Sequence, residues 1–211
     1  MFAIAVYYIA VIAVYRFVNP PSSNWMLLDA LGGMHVQQSW VSIDDMSPHV
    51  VRAVVASEDA RFCKHWGVDW GEIYAAIKRA DKRGPRGAST ITMQTAKNLF
   101  LWPGRSYVRK AIELPLTYTI ELFWSKRRIL EVYLNIAEWG PGVYGVEAAS
   151  RHHFRKGSNT LNRRQATLLA ASLPNPARRK AGRPGRTTRK HAARVRKRLP
   201  SAVAGTRCIY E

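Results

Sequence analysis

Acidic residues are scarce in this chain of 211 residues: 14 Asp and Glu stand against 33 Lys and Arg, a formal net charge of +19. That balance argues against a cationic partner and for an anionic one: nucleic acid, anionic lipid or a phosphorylated small molecule. Cysteine is scarcer still. Cys63 and Cys208 lie far apart and match no metal or redox spacing, so cysteine usage gives neither a zinc site nor a compartment, and whether the two pair stays open. Strand alternation is nearly missing, apart from weak candidates around residues 34–43, and there are no internal repeats. An all-β or solenoid architecture is thereby excluded, and the length fits one domain with a real core. A phosphate-cradling loop is missing too. Gly140-Pro141-Gly142-Val143-Tyr144-Gly145 fits GxGxxG but comes after a helix-like segment where a strand is required, so it reads as a glycine-rich turn whose backbone approaches something closely. His152 and His153 are adjacent, cannot share one helical face, and read as surface or turn, not as metal ligands.

The apolar start is the first positive feature. Met1 to Tyr15 holds no charged residue, and after Arg16 the run continues through Phe17 and Val18. Eighteen helical residues span about 27 Å, close to the hydrocarbon thickness of a bilayer, so a transmembrane anchor over residues 1–18 is expected, with a signal-peptide core or a buried helix as the alternatives. Asn19-Pro20-Pro21 stands where a signal peptide would carry a cleavage pattern. One basic residue beside the span, Arg16, gives no orientation.

Residues 19–46 show weak periodicity, and beyond them helix starts dominate the chain. Ser47-Pro48 opens an apolar run from Val50 to Ala56. Asp69 caps a helix that Gly84-Pro85 should end, and Ser89 or Thr90 caps another holding Ile91, Ala96 and Leu99. Ser106 begins a long helix that Pro115 should kink, and Ser125 and Asn162 cap two more. Arg127 and Arg128 are expected on an exposed helix face. Between Arg178 and Arg198 there are 11 Lys and Arg and no acid, leaving +8 of the +19 to the rest of the chain.

Chemistry gathers at two glutamates. Glu58 comes after the apolar run, at the edge of a core, where a carboxylate's pKa rises toward the range useful for proton transfer; the plainer reading is a surface pair with Arg61. Phe62 and His65 share its face if the helix continues. From Gly87 to Asn98, hydroxyls, the Gln94 amide and the Lys97 cation surround a helix start, a setting suited to phosphate. Lys97, Arg109, Lys110 and Glu113, within 17 residues, look like a diphosphate clamp with a carboxylate beside it.

Five ordered blocks carry a family resemblance. They are Glu58-Asp59-x-x-Phe62-x-x-His65-x-Gly67; Gly87-x-Ser89-Thr90-Ile91-Thr92-x-Gln94-x-x-Lys97-Asn98; and Arg109-Lys110-x-x-Glu113. The fourth is Lys126-Arg127-Arg128-Ile129-Leu130-Glu131-x-Tyr133-Leu134-Asn135 with Gly140, Gly142 and Gly145, and the fifth is Leu168-Leu169-Ala170-Ala171-x-Leu173-Pro174-Asn175-Pro176. Over roughly residues 15–200 the chain resembles the monofunctional biosynthetic peptidoglycan transglycosylases, whose domain also forms the front half of class A penicillin-binding proteins. Met93 departs from the pattern, standing where the family usually has a first Gln; the N-terminus lacks the usual longer basic start, and the segment 178–198 is more basic than expected.

The resemblance implies an all-α fold, a lysozyme-like helical lobe with a small membrane-facing jaw, plus one N-terminal transmembrane helix. Its divisions would be an anchor over 1–18, a linker and jaw entry over 19–46, a glycosyltransferase domain over 47–200 and a tail over 201–211. It implies polymerisation of lipid II into β-1,4-linked glycan with release of undecaprenyl diphosphate. Glu58 would be the general base. Glu113, with Lys97, Arg109 and Lys110, would stabilise the departing diphosphate, with Mg²⁺ or another divalent cation as the cofactor to consider. Ser89, Thr90, Gln94 and Asn98 would line the donor side, and Asp59, Phe62 and His65 would position Glu58. The implied partners are lipid II, the growing glycan strand, membrane lipids and other cell-wall synthesis proteins, with no nucleic acid; the location is the inner membrane, single-pass, with the catalytic domain on the periplasmic side. The alternatives are a lysozyme-like glycan hydrolase and a basic nucleic-acid-binding protein using residues 178–198.

Overall fold

The computed structural model describes residues 2–80, 87–104 and 106–210. The expected helix stop at Gly84-Pro85 lies outside them. The described residues form eleven α-helices and one small sheet. In order they are α1 (Phe2–Tyr15), α2 (Asn24–Leu31), β1 (Gln37–Gln38), α3 (Pro48–Glu58), α4 (Trp70–Lys78), α5 (Ile91–Phe100), α6 (Tyr107–Phe123) and α7 (Lys126–Ile136). Then come β2 (Glu138–Gly140), β3 (Val143–Tyr144), α8 (Val146–Phe154), α9 (Arg163–Ser172), α10 (Arg186–Gly205) and α11 (Arg207–Tyr210).

Cap chemistry sets the helix starts. Ser47, Asp69, Thr90, Ser106, Ser125 and Asn162 each accept a backbone N–H of the first turn of α3, α4, α5, α6, α7 and α9. At Asn162 the bond is reciprocal, because the Gln165 side chain accepts from the Asn162 N–H. Helix α6 runs through Pro115 as one element.

Two parts of the expected fold class are corrected. First, the fold is not purely helical. β3 pairs with β1 in parallel and with β2 in an antiparallel hairpin. The glycine-rich turn makes this sheet possible: Gly142 (φ 71°) and Gly145 (φ 81°) adopt the left-handed region. A Cβ would come within 2.4 Å of the His35 carbonyl oxygen at Gly142, and within 2.8 Å of the Asn135 carbonyl oxygen at Gly145. Second, among the described residues no helix is long and apolar enough to cross a membrane. Helix α1 has 14 residues, about 21 Å, against a hydrocarbon core of about 30 Å. It packs instead on the lobe: Ile12 is fully buried, its carbonyl accepts the Trp124 indole N–H at 2.7 Å, and Tyr8 meets Phe100 edge-on.

Arg128 fixes the end of α1, and this corrects its expected exposure. Its guanidinium donates to the carbonyls of Tyr15 and Val18, to Asn19 and to Glu131. Arg127 pairs with Asp44 and donates to the Ile209 carbonyl.

The basic stretch also proves to be core-forming. Helix α10 buries Thr188, Ala192, Val195, Leu199, Ala202 and Gly205, a spacing of three and four that lays one face on α3 and α9. Its charges occupy the opposite face. The chain then turns through α11, where Ile209 is buried and Cys208 forms a disulfide with Cys63.

Candidate active site

Val50, Val51, Val54 and Val55 are completely buried, so α3 runs through the core and delivers Glu58 at its last turn. The helix stops there because Asp59 leaves helical geometry (φ −158°) and its carboxylate is used elsewhere. Asp59 accepts the Ile91 N–H at 3.0 Å, at the start of α5, and holds His65 Nε2 at 2.9 Å. Phe62 therefore lies in a short 3₁₀ turn, Phe62–Lys64, rather than on a continued helix. It is fully buried beneath the cleft, under His65 and the Lys126 ammonium.

Glu58 is half-buried at a cleft of about 260 Å³ that it shares with Ser57, Asp59, Ser89, Thr90 and Arg198. Ser57 Oγ donates to Oε1 at 3.0 Å and Gln94 Nε2 to Oε2 at 3.3 Å. The Tyr133 hydroxyl donates to Gln94 Oε1 at 3.1 Å, which turns the amide nitrogen toward Glu58. Burial raises the Glu58 pKa; the bonds from Ser57 and Gln94, and the nearby Arg179 charge, pull it back. Arg61, the alternative partner, pairs instead with Asp69 at 3.5 Å.

The second glutamate is differently placed. Glu113 is buried on α6, its two oxygens held by Arg109 Nη1 at 2.8 Å and Lys110 Nζ at 2.5 Å. This carboxylate anchors two cations. Lys97 lies half-buried across from it on α5, with its ammonium 4.7 Å from the Trp25 ring centre. Among the described residues it has no ion pair within 4 Å. Burial lowers its pKa, and it feels the charges of Glu113, Arg109, Lys110 and Glu58 together. Lys97 is thus sensitive to the charges of both glutamates.

Of the remaining expected residues, Ser89 is exposed at the cleft and Thr90 is buried as the α5 cap. Asn98 is buried with Oδ1 unpartnered. The sequence reading gave no role to Ser57, Tyr133 or Arg179. Ser57 sits beside Glu58, Tyr133 lies in a motif block, and Arg179 was hidden in the basic run.

Both Glu113 oxygens are taken by cations, and among the described residues no group of three His, Cys, Asp or Glu side chains could hold a metal.

A half-buried carboxylate with cations gathered on a second, buried carboxylate suits group transfer from an anionic donor. Comparison with known sequences is more specific. A transglycosylase family model matches residues 26–200, and the chain belongs to that family. It is 50% identical over 206 residues to a biosynthetic peptidoglycan transglycosylase of Rhizobium johnstonii, covering 97% of this chain and 84% of the relative. It is 52% identical to the Rhizobium etli protein of that name (90% and 82% covered) and 47% identical to that of Mannheimia succiniciproducens (92% and 82%). The chain is a glycosyltransferase.

Proposed function

We propose that this enzyme polymerises lipid II into β-1,4-linked glycan strands for cell-wall synthesis. The observation that carries the reading is the pair Arg109 and Lys110 held on buried Glu113, with Lys97 a further cation in the charge field of both glutamates. A hydrolase of the same glycan has no diphosphate to neutralise and no need of such a cluster.

Glu58 removes the proton from the 4-hydroxyl of the acceptor sugar as that oxygen attacks C1 of the donor. The C1–O bond to the undecaprenyl diphosphate breaks from the opposite face, so the α-linked donor yields a β linkage. Lys97, Arg109 and Lys110 take up the negative charge growing on the leaving diphosphate; preorganised donors of this kind each contribute about 3–4 kcal/mol. No step is assigned to a metal ion. Ser57, Gln94 and Tyr133 hold the base in register, and Asp59 with His65 fixes the turn after it. Ser89 and Asn98 line the donor side.

The donor's polyprenyl chain lies in a bilayer, so we assign the work to the periplasmic face of the inner membrane. Trp70, Tyr74 and Ile77 are exposed along one side of α4, with Trp66 just before it, and supply an interfacial apolar surface. The Cys63–Cys208 disulfide supports an oxidising compartment.

The test is incubation of labelled lipid II with wild type and Glu58→Gln. Wild type should lengthen the glycan, and the variant should be slower by on the order of 10²–10⁴. Polymerisation at the wild-type rate by the folded variant would remove Glu58 as the base.

A further inference from the structure

Three features without a role in the reaction meet at one place: the Gly140-Pro141 turn, the His152-His153 pair and the start of the basic segment. Together they line a cavity of about 380 Å³ with Arg155, Pro176, Lys180, Gly182 and Arg183. It shares no lining residue with the Glu58 cleft.

The lining contains five basic side chains and no acid. Among the described residues, Arg155, Lys180 and Arg183 have no carboxylate within 4 Å, although the fold pairs other surface arginines such as Arg79 and Arg151. Gathering unpaired like charges around a concavity is unfavourable unless an anion offsets them.

Backbone geometry holds them there. Arg155 comes directly after α8 at φ 58°, and it is the one non-glycine residue among those described with positive φ. Glycine or asparagine usually occupies such a cap. An arginine here accepts backbone strain while presenting its guanidinium at the cavity. From the other side, Gly182 approaches α8 so closely that a Cβ would meet the His153 carbonyl oxygen at 2.6 Å. That contact brings Lys180 and Arg183 up to the histidines. The rings of His152 and His153 stand edge to face, 4.8 Å between centres, and His153 Nε2 lies 3.3 Å from the Trp139 carbonyl oxygen.

We infer that this cavity binds a phosphoryl group carrying a substituent about the size of glycerol or a small sugar. Permanent charge on three side chains favours phosphate over a single carboxylate, and arginine matches its oxygens in pairs. The volume exceeds what bare phosphate fills. His152 adds an N–H donor, and His153, whose Nε2 is taken by the Trp139 carbonyl, adds one when protonated; burial, His152 and Lys180 hold the His153 pKa below its ordinary value, and an anion alongside would raise it. The same chemistry arises from a soluble phosphorylated compound or from an anionic lipid headgroup. The inference does not depend on the reaction assigned to Glu58.

The experiment tracks the His152 and His153 ring resonances by NMR while the full chain is titrated with glycerol 1-phosphate, at constant ionic strength set with chloride. Saturable shifts are expected, with affinity reduced at least tenfold in Lys180→Gln/Arg183→Gln. Arg155→Gly is the sharper variant: it relieves the positive φ, so thermal stability should hold or rise while binding weakens at least fivefold. Vesicles of phosphatidylglycerol or phosphatidylcholine identify the source, since a lipid site responds to the former and a soluble-ligand site only to glycerol 1-phosphate. The inference is overturned if neither phosphate source moves the histidines, if chloride alone moves them equally, or if the folded variants bind like wild type.

Discussion

Replacing Tyr133 by Phe removes one oxygen from a side chain that is 1% exposed and leaves the packing around its ring unchanged. The lost bond is the one to Gln94 Oε1 at 3.1 Å, two links away from the reacting proton. Its net value is about 0.5–1.5 kcal/mol. If that energy serves to hold Gln94 Nε2 on Glu58, the polymerisation rate should fall by about 2- to 12-fold. The pH profile carries the sharper signal. Donation from Gln94 lowers the Glu58 pKa against the opposing effect of burial, so a loosened Gln94 lets it rise. Glu58 accepts a proton only when ionised. The acid limb of kcat/KM should therefore move to higher pH in Tyr133→Phe, and the gap to wild type should narrow as pH increases. Initial rates of lipid II consumption between pH 5 and 9 measure this. A uniform loss at all pH values, or a limb that moves down, would mean that Tyr133 supports the fold without orienting Gln94.

Further outcomes separate the clamp, the sheet and the disulfide. Lys97→Gln and Arg109→Gln should each slow polymerisation at least about a hundredfold, whereas Arg127→Gln, on the partly exposed pair with Asp44, should change it little. Circular dichroism of all three would confirm folding. Burial and the neighbouring Asp29 raise the Glu138 pKa to about 7. The stability tied to its proton is complete below pH 4.5 and lost as pH rises through about 7. Glu138→Gln should hence raise Tm at pH 8, by about 2–6 °C after allowing for solvent screening, and leave it unchanged at pH 4. Cys63→Ser/Cys208→Ser should lower Tm by about 8 °C or more, from about 4–5 kcal/mol of lost chain-entropy stabilisation. Equal melting of variant and wild type would count against that estimate.

Much of the fold was legible because it is written locally. A hydroxyl, carboxylate or amide oxygen just before a helical run satisfies a backbone N–H whatever the rest of the chain does, so Ser47, Asp69, Ser106, Ser125 and Asn162 marked their helices correctly. Contacts distant in sequence were not legible. The weak strand candidate around residues 34–43 does hold β1, but its pairing with β3 depends on Gly142 letting the hairpin approach His35, and nothing local to Gln37 says so. The apolar start misled because hydropathy alone does not show where a helix ends: α1 stops at Tyr15, and Trp124 and Arg128 tie it and the residues after it to the lobe. In α10 the density of charge hid a regular buried stripe. At the site, the sequence brought Glu58, Lys97, Arg109, Lys110 and Glu113 to notice by type and order. It could not show that Glu113 is consumed by its neighbours, because that depends on where α6 turns its buried face.

The Cys63–Cys208 bond closes a covalent ring with a sequence separation of 145 residues, and this imposes an order on assembly. Cys63 stands five positions after Glu58, whereas its partner is added only after the residues of α4 to α10 have been synthesised. The turn behind Glu58 therefore cannot be locked in a partly synthesised chain. It is closed last, when α11 docks and brings Cys208 within reach. A chain without Cys208 would keep every residue of the cleft and still lack the latch on its base, so a cysteine 145 positions away bears on the setting of the site.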